Sequence, residues 1–322
     1  MVLPLLPFRE LLVLVALLAA VAAVYVAAAW AVVGCLHRRF VTGTPAPRKG
    51  KWRRRGVVLA AVAGLFCLAY AHFVEPCWLA VRRVRITSAK LPPSCRPVRI
   101  VHVSDLHSDA KPCLERRLPV AVAALNPDLI AFTGDAANSA PGLEHFRQCM
   151  SRLALIAPTY AVRGNWDGAA ESTPLFADTG ATELNGQAVT VNVAGAEVWI
   201  SGLPAWSEDR IESVMKAGPP GVFCLFLYHY PDAIHQLSRC KVDLCLSGHT
   251  HGGQVALPFY GAVVTLSRFG KQFEGGLYRV GDTWLHVSRG IGMEGGLAPR
   301  LRFLARPEVT LIEVCPENSE TR

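Results

Sequence analysis

Leu11 to Leu36 contains no charged residue. So long an apolar run has few ways to fold, because every backbone N–H and C=O along it must be paired without help from water. A helix does this, and at this length it can cross a bilayer core. The run is too long for the apolar part of a signal peptide, and no small-residue cleavage site follows it. Val57 to Val74 repeats the pattern, and Ala60, Ala61, Ala63 and Gly64 give it a small-residue face for close helix packing. Two transmembrane helices are therefore expected within residues 1–74. A connector at 75–97, a main domain at 98–315 and a short tail at 316–322 should follow.

The basic loop at 37–55 carries Arg38, Arg39, Arg48, Lys49, Lys51, Arg53, Arg54 and Arg55, and no acid. These eight account for the whole net charge of +8, since the remaining Lys and Arg equal the 25 Asp and Glu. The main domain is thus about neutral, which argues against nucleic acid as a partner. The positive-inside rule puts the loop in the cytoplasm, beside anionic lipid, and both termini and the main domain across the membrane. Arg82, Arg83 and Arg85 oppose this orientation but are outnumbered. The expectation is a multi-pass cell-membrane protein with an extracytoplasmic domain. The ten cysteines form no CxxC, and several sit in apolar runs as small hydrophobes. Cys77 with Cys95, or Cys240 with Cys245, are the pairings the sequence suggests.

From Val98 onward, apolar strand-like runs alternate with helical ones. Strands are expected at Val84–Ile86, Val98–Ser104, Leu129–Thr133, Thr159–Val162, Val189–Val193, Val198–Ser201, Val222–Tyr228, Val242–Leu246, Gly276–Val280, Thr283–Val287 and Val309–Val314. Helices are expected at Leu114–Leu125, broken by Pro119, and at Leu143–Ile156. The class is α/β with a large β component.

Metal-binding residue types follow five of these strands. The first runs into Asp105-Leu-His107, the next into Gly134-Asp135, and the next into Gly164-Asn165-Trp166-Asp167. Later strands lead to His229 and to Gly248-His249-Thr-His251. Strand C-terminal ends are where open α/β sheets bind ligands. Asp105, His107, Asp135, Asn165, His229, His249 and His251 are too many ligands for one tetrahedral ion, but they suit two ions sharing a carboxylate. His72, His102, His145, His235 and His286 stand outside this pattern, and Asp109 and Asp167 read as turn residues.

In order and spacing, these five motifs resemble the calcineurin-like metallophosphoesterases. Ser288-Arg-Gly-Ile-Gly292 and Arg306-Pro-Glu308, together with the two apolar spans, resemble the membrane-associated branch of that family. The resemblance implies a two-sheet β-sandwich flanked by α-helices. It also implies one divalent ion held by Asp105, His107, Asp135 and His251, and a second held by Asp135, Asn165, His229 and His249. Mn, Fe and Zn all suit this donor set. The implied activity is hydrolysis of a phosphodiester or pyrophosphate, with a lipid-linked substrate favoured by the membrane spans. Some relatives cleave UDP-2,3-diacylglucosamine in lipid A synthesis, but that lipid is cytoplasmic and conflicts with the expected topology.

The family's third motif carries a histidine where this chain has Trp166. Indole offers a donor N–H but no proton to transfer, and general acid help is worth ~10²–10⁴-fold. A slow enzyme, or one acting on good leaving groups such as a pyrophosphate, is the expected result, and no catalytic residue is assigned. A non-catalytic metal-binding membrane module is one rival reading and a nuclease is another.

Overall fold

A computed structural model describes residues 7–44, 49–170, 173–295 and 299–317. Arg48 of the basic loop and residues 318–322 of the tail lie outside the described residues. The chain divides into two compact units, Met1–Val74 and Glu75–Arg322.

The first unit is a helical hairpin of α1 (Phe8–His37) and α2 (Lys51–Phe73). Both are long and apolar enough to cross a membrane, and most of their leucines, valines and phenylalanines are exposed. The helical backbone extends into the basic segment. Arg38–Thr42 continues α1 as a π-turn, and Lys51 to Arg55 form the first turn of α2. The expected basic loop is therefore shorter than its charge run. The Tyr25 side chain lies over Gly64, where a Cβ would meet its hydroxyl at 2.6 Å.

The second unit begins with β1 (Ala80–Ser88), β2 (Val98–Val103), α3 (Leu118–Ala123), β3 (Leu129–Phe132), α4 (Ala140–Ala154) and β4 (Thr159–Ala161). Next come β5 (Thr182–Glu183), β6 (Ala188–Val193), β7 (Ala196–Leu203), α5 (Ile211–Met215), β8 (Phe223–Tyr228) and α6 (Ile234–Arg239). The chain then forms β9 (Leu244–Ser247), a small hairpin of β10 (Ala256–Leu257) and β11 (Gly261–Ala262), β12 (Gly276–Val280), β13 (Thr283–Val287) and β14 (Glu308–Pro316). Two six-stranded sheets result, ordered β1-β14-β2-β3-β4-β5 and β12-β13-β9-β8-β7-β6.

Strand alternation builds the layers. In β2, Val98 and Ile100 face the second sheet, whereas Val101 and Val103 face the cluster that includes Leu118 and Phe146 of α3 and α4. In β8, Leu225 and Leu227 join the inter-sheet core, and Phe226 and Tyr228 pack with Ile234 and Leu237 of α6. The expected helix-flanked two-sheet sandwich is what forms. Pro119 does not break a helix over 114–125. It lies in the first turn of α3, just after Leu118, where its missing N–H costs nothing. The connector also holds a longer strand than Val84–Ile86, because β1 pairs in parallel along all nine residues with β14.

Candidate metal centre

β2, β3 and β4 run parallel in one sheet and β7, β8 and β9 in the other. The loops after β2, β3, β4, β8 and β9 therefore converge on one edge of the sandwich. Asp105, His107, Asp135, His249 and His251 all have positive φ. Such backbone is costly for non-glycine residues and persists only where the surroundings impose it. The motif glycines serve another purpose, since a Cβ at Gly248 would overlap the Asp105 carboxylate and one at Gly164 that of Asp135.

The side chains meet in a buried cluster. Asp135 Oδ2 lies 3.4 Å from His107 Nε2 and 3.3 Å from His229 Nε2. His251 Nε2 lies 3.1 Å from His107 Nε2 and 3.5 Å from Asp105 Oδ1. Asn165 Oδ1 is 2.9 Å from His229 Nε2. Among the described residues, two groups have donor atoms close enough together to hold an ion: Asp105, His107 and His251, and Asp105, Asp135 and His229. His249 sits at the margin, its ring centroid 5.2 Å from that of His229.

The outer nitrogens of these imidazoles have partners that the sequence did not reveal. His107 Nδ1 bonds to Asn138 Oδ1 at 2.8 Å, and His229 Nδ1 to the Thr133 carbonyl at 2.7 Å. His249 Nε2 faces the Leu266 carbonyl at 3.3 Å. His251 Nδ1 faces the buried Arg302 guanidinium at 3.2 Å. The oxygen acceptors facing His107, His229 and His249 fix ring orientation and tautomer around a metal, whereas the Arg302 guanidinium facing His251 is a donor. Burial pushes Asp135 up, but His229 and His107 outweigh it and hold this carboxylate well below its usual range. His229 is lowered by burial yet raised to about 9 overall, chiefly by Asp135. Burial lowers His249 to about 4.

A family model for calcineurin-like phosphoesterases matches residues 98–253. The uncharacterized metallophosphoesterase YkuE of Bacillus subtilis is 32% identical over 262 residues, covering 77% of this chain and 90% of its own. The chain belongs to the calcineurin-like phosphoesterase family. It is similar to a transmembrane protein with metallophosphoesterase domain from Danio rerio, 28% identical across 87% of this chain and 68% of that one. It is also similar to the UDP-2,3-diacylglucosamine pyrophosphatase LpxG of Chlamydia trachomatis, 25% identical across 76% of this chain and 91% of that one. As a member of this family the chain is a metal-dependent hydrolase.

Within this phosphoesterase, Asp167 does more than shape a turn. Its carboxylate accepts the backbone N–H groups of Asp135 at 2.9 Å, Ala136 at 3.0 Å and Gly164 at 2.8 Å, so it ties the second motif to the third. Asp109 pairs with Arg300 at the surface. His102 and His286 bond to each other through Nδ1 at 2.8 Å between the sheets, and His235 packs on Phe269 and Phe273. His102 and His235 are therefore each engaged with these partners, and the Trp166 indole packs edge-on to His107 with centroids 5.5 Å apart. The cysteine pairing also differs from expectation, because Cys77 is bonded to Cys113. Cys95 and Cys245 are buried free thiols and Cys240 is free.

Proposed function

We propose that this chain is a membrane-anchored phosphoesterase that uses two divalent ions to hydrolyse a phosphodiester or pyrophosphate bond of a lipid-linked substrate. One ion would be held by Asp105, His107, Asp135 and His251, and the other by Asp135, Asn165, His229 and His249. The observation that carries this reading is the placement of Asp135 Oδ2 between His107 and His229, as a shared carboxylate requires. The donor set suits such ions, being oxygens and imidazole nitrogens brought together out of water. When bound, the ions would supply an activated water and neutralise charge at phosphorus.

The protein's own residues do the remaining work. Asn138 and the Thr133 carbonyl aim the His107 and His229 rings, and Asp167 holds Asp135 in place through the backbone. The lipid-linked substrate is supported by the apolar hairpin and by similarity to a pyrophosphatase of a glycolipid nucleotide. The eight basic residues favour an extracytoplasmic main domain, and the Cys77–Cys113 bond suits an oxidising compartment.

The test is hydrolysis of bis-p-nitrophenyl phosphate by the full chain in detergent with Mn²⁺, with chelator, and as Asp135→Asn. Turnover should be chelator-sensitive and fall about 10²–10³-fold in the variant, the several kcal/mol an ion supplies. Metal binding without turnover on any phosphodiester or lipid pyrophosphate would instead establish the non-catalytic module. A reporter fused to the C-terminus and found in the cytoplasm would reverse the proposed orientation.

A further inference from the structure

We propose that Glu294 donates the proton that the departing oxygen needs as the bond to phosphorus breaks. This rests on reading the site as a hydrolase. In the step, water oxygen forms the new P–O bond while the leaving oxygen takes the electron pair of the old one. Glu294 gives that oxygen its carboxyl proton, and the proton lost by the attacking water returns to the carboxylate through solvent.

The case is one of position. The histidines and aspartates of the cluster are proposed to hold the ions, and Trp166 has no proton to transfer. Glu294 lies half-buried beside Trp166, where it feels the charges of His107, Asp135 and Asp105. Its backbone is pinned on both sides by residues of the motif loops. The Glu294 N–H donates to Gln254 Oε1 at 2.7 Å, and the neighbouring Met293 carbonyl accepts from Asn138 Nδ2 at 3.1 Å. Asn138 is also the residue that fixes His107. Packing continues at Gly295, where a Cβ would sit 3.6 Å from the rim of the Trp166 indole.

Burial raises the Glu294 carboxyl, with His107 and the Trp166 indole pulling the other way. Tyr230 is another titratable side chain near the cluster, edge-on to His249 with ring centroids 4.5 Å apart. Burial pushes its hydroxyl above the ordinary tyrosine range, which makes it the weaker acid.

The experiment compares full-length wild type, Glu294→Gln and Tyr230→Phe in detergent with Mn²⁺. The substrates are aryl phosphodiesters graded from p-nitrophenol to unsubstituted phenol as leaving group. Glu294→Gln should lose about 10²-fold in kcat/KM with phenol leaving and several-fold at most with p-nitrophenol, which departs readily without a proton. Adding Trp166→His to Glu294→Gln should recover part of the loss on the phenyl ester. Bound manganese, measured by atomic emission, should match wild type. Equal losses across the series, loss of metal from Glu294→Gln, or a leaving-group-dependent loss in Tyr230→Phe alone would each overturn the assignment. Those outcomes leave wild-type turnover intact, whereas a wild type inert on every member would sink the hydrolase reading itself.

Discussion

Asp167 shows how much one carboxylate can organise. Asp167→Ala would strand three N–H groups in the interior, and each buried unsatisfied donor costs roughly 1–3 kcal/mol. The variant should melt well below wild type in a detergent thermal-shift assay. It should also bind Mn²⁺ about 10–100-fold more weakly, the range typical of lost supporting residues. Asp167→Asn, which keeps one acceptor oxygen, should fall between the two. The sequence made the seven proposed ligands visible, because Asp, His and Asn rarely recur at successive strand ends by chance. Asn138, Arg302 and Glu294 carried no comparable signal. Each is a single polar residue outside the repeating pattern, and an arginine is ordinarily expected at the surface, whereas Arg302 is fully buried.

Among the elements, the apolar runs were legible because strands buried on both faces read as continuous hydrophobic segments. The partner of each strand was not, since pairing is set by the tertiary structure. That is why His102 of β2 and His286 of β13 looked like unremarkable histidines, although they meet across the sandwich. Burial lowers His286 to about 4 and His102 well below its usual value. Both are therefore neutral in the folded domain, while the unfolded chain takes up protons below about pH 6.5. Stability is fully present above that pH and is lost as pH falls from about 6.5 towards 4, with His286 alone accounting for about 3 kcal/mol. Melting in excess chelator, so that metal release does not contribute, should show a falling midpoint from pH 7 to pH 5. His286→Gln should flatten that fall, and an unchanged slope would refute the account.

For the molecule as a whole, the Cys77–Cys113 bond closes a loop with a sequence separation of 36. Chain-entropy arguments give a bridge of that span about 3–4 kcal/mol. Cys113→Ser should lower the domain's melting point, and non-reducing peptide mapping should recover a 77–113 cross-link from membranes. Recovery of a 77–95 link would restore the pairing the sequence suggested. Cysteine spacing could not choose between them, because Cys113 reaches Cys77 only through the path the chain takes after the first motif.

β1 offers a last consequence. Among the described residues it touches its own sheet only through β14, which lies between β1 and β2. During translation the first sheet therefore stays open until β14 has left the ribosome. Throughout that interval β2 presents a bare apolar edge of the kind that recruits other strands. A ribosome stalled shortly before Glu308 would have made all seven proposed ligands yet leave a nascent domain unable to close. Chaperone demand and premature-stop sensitivity should therefore depend on the codons for β14.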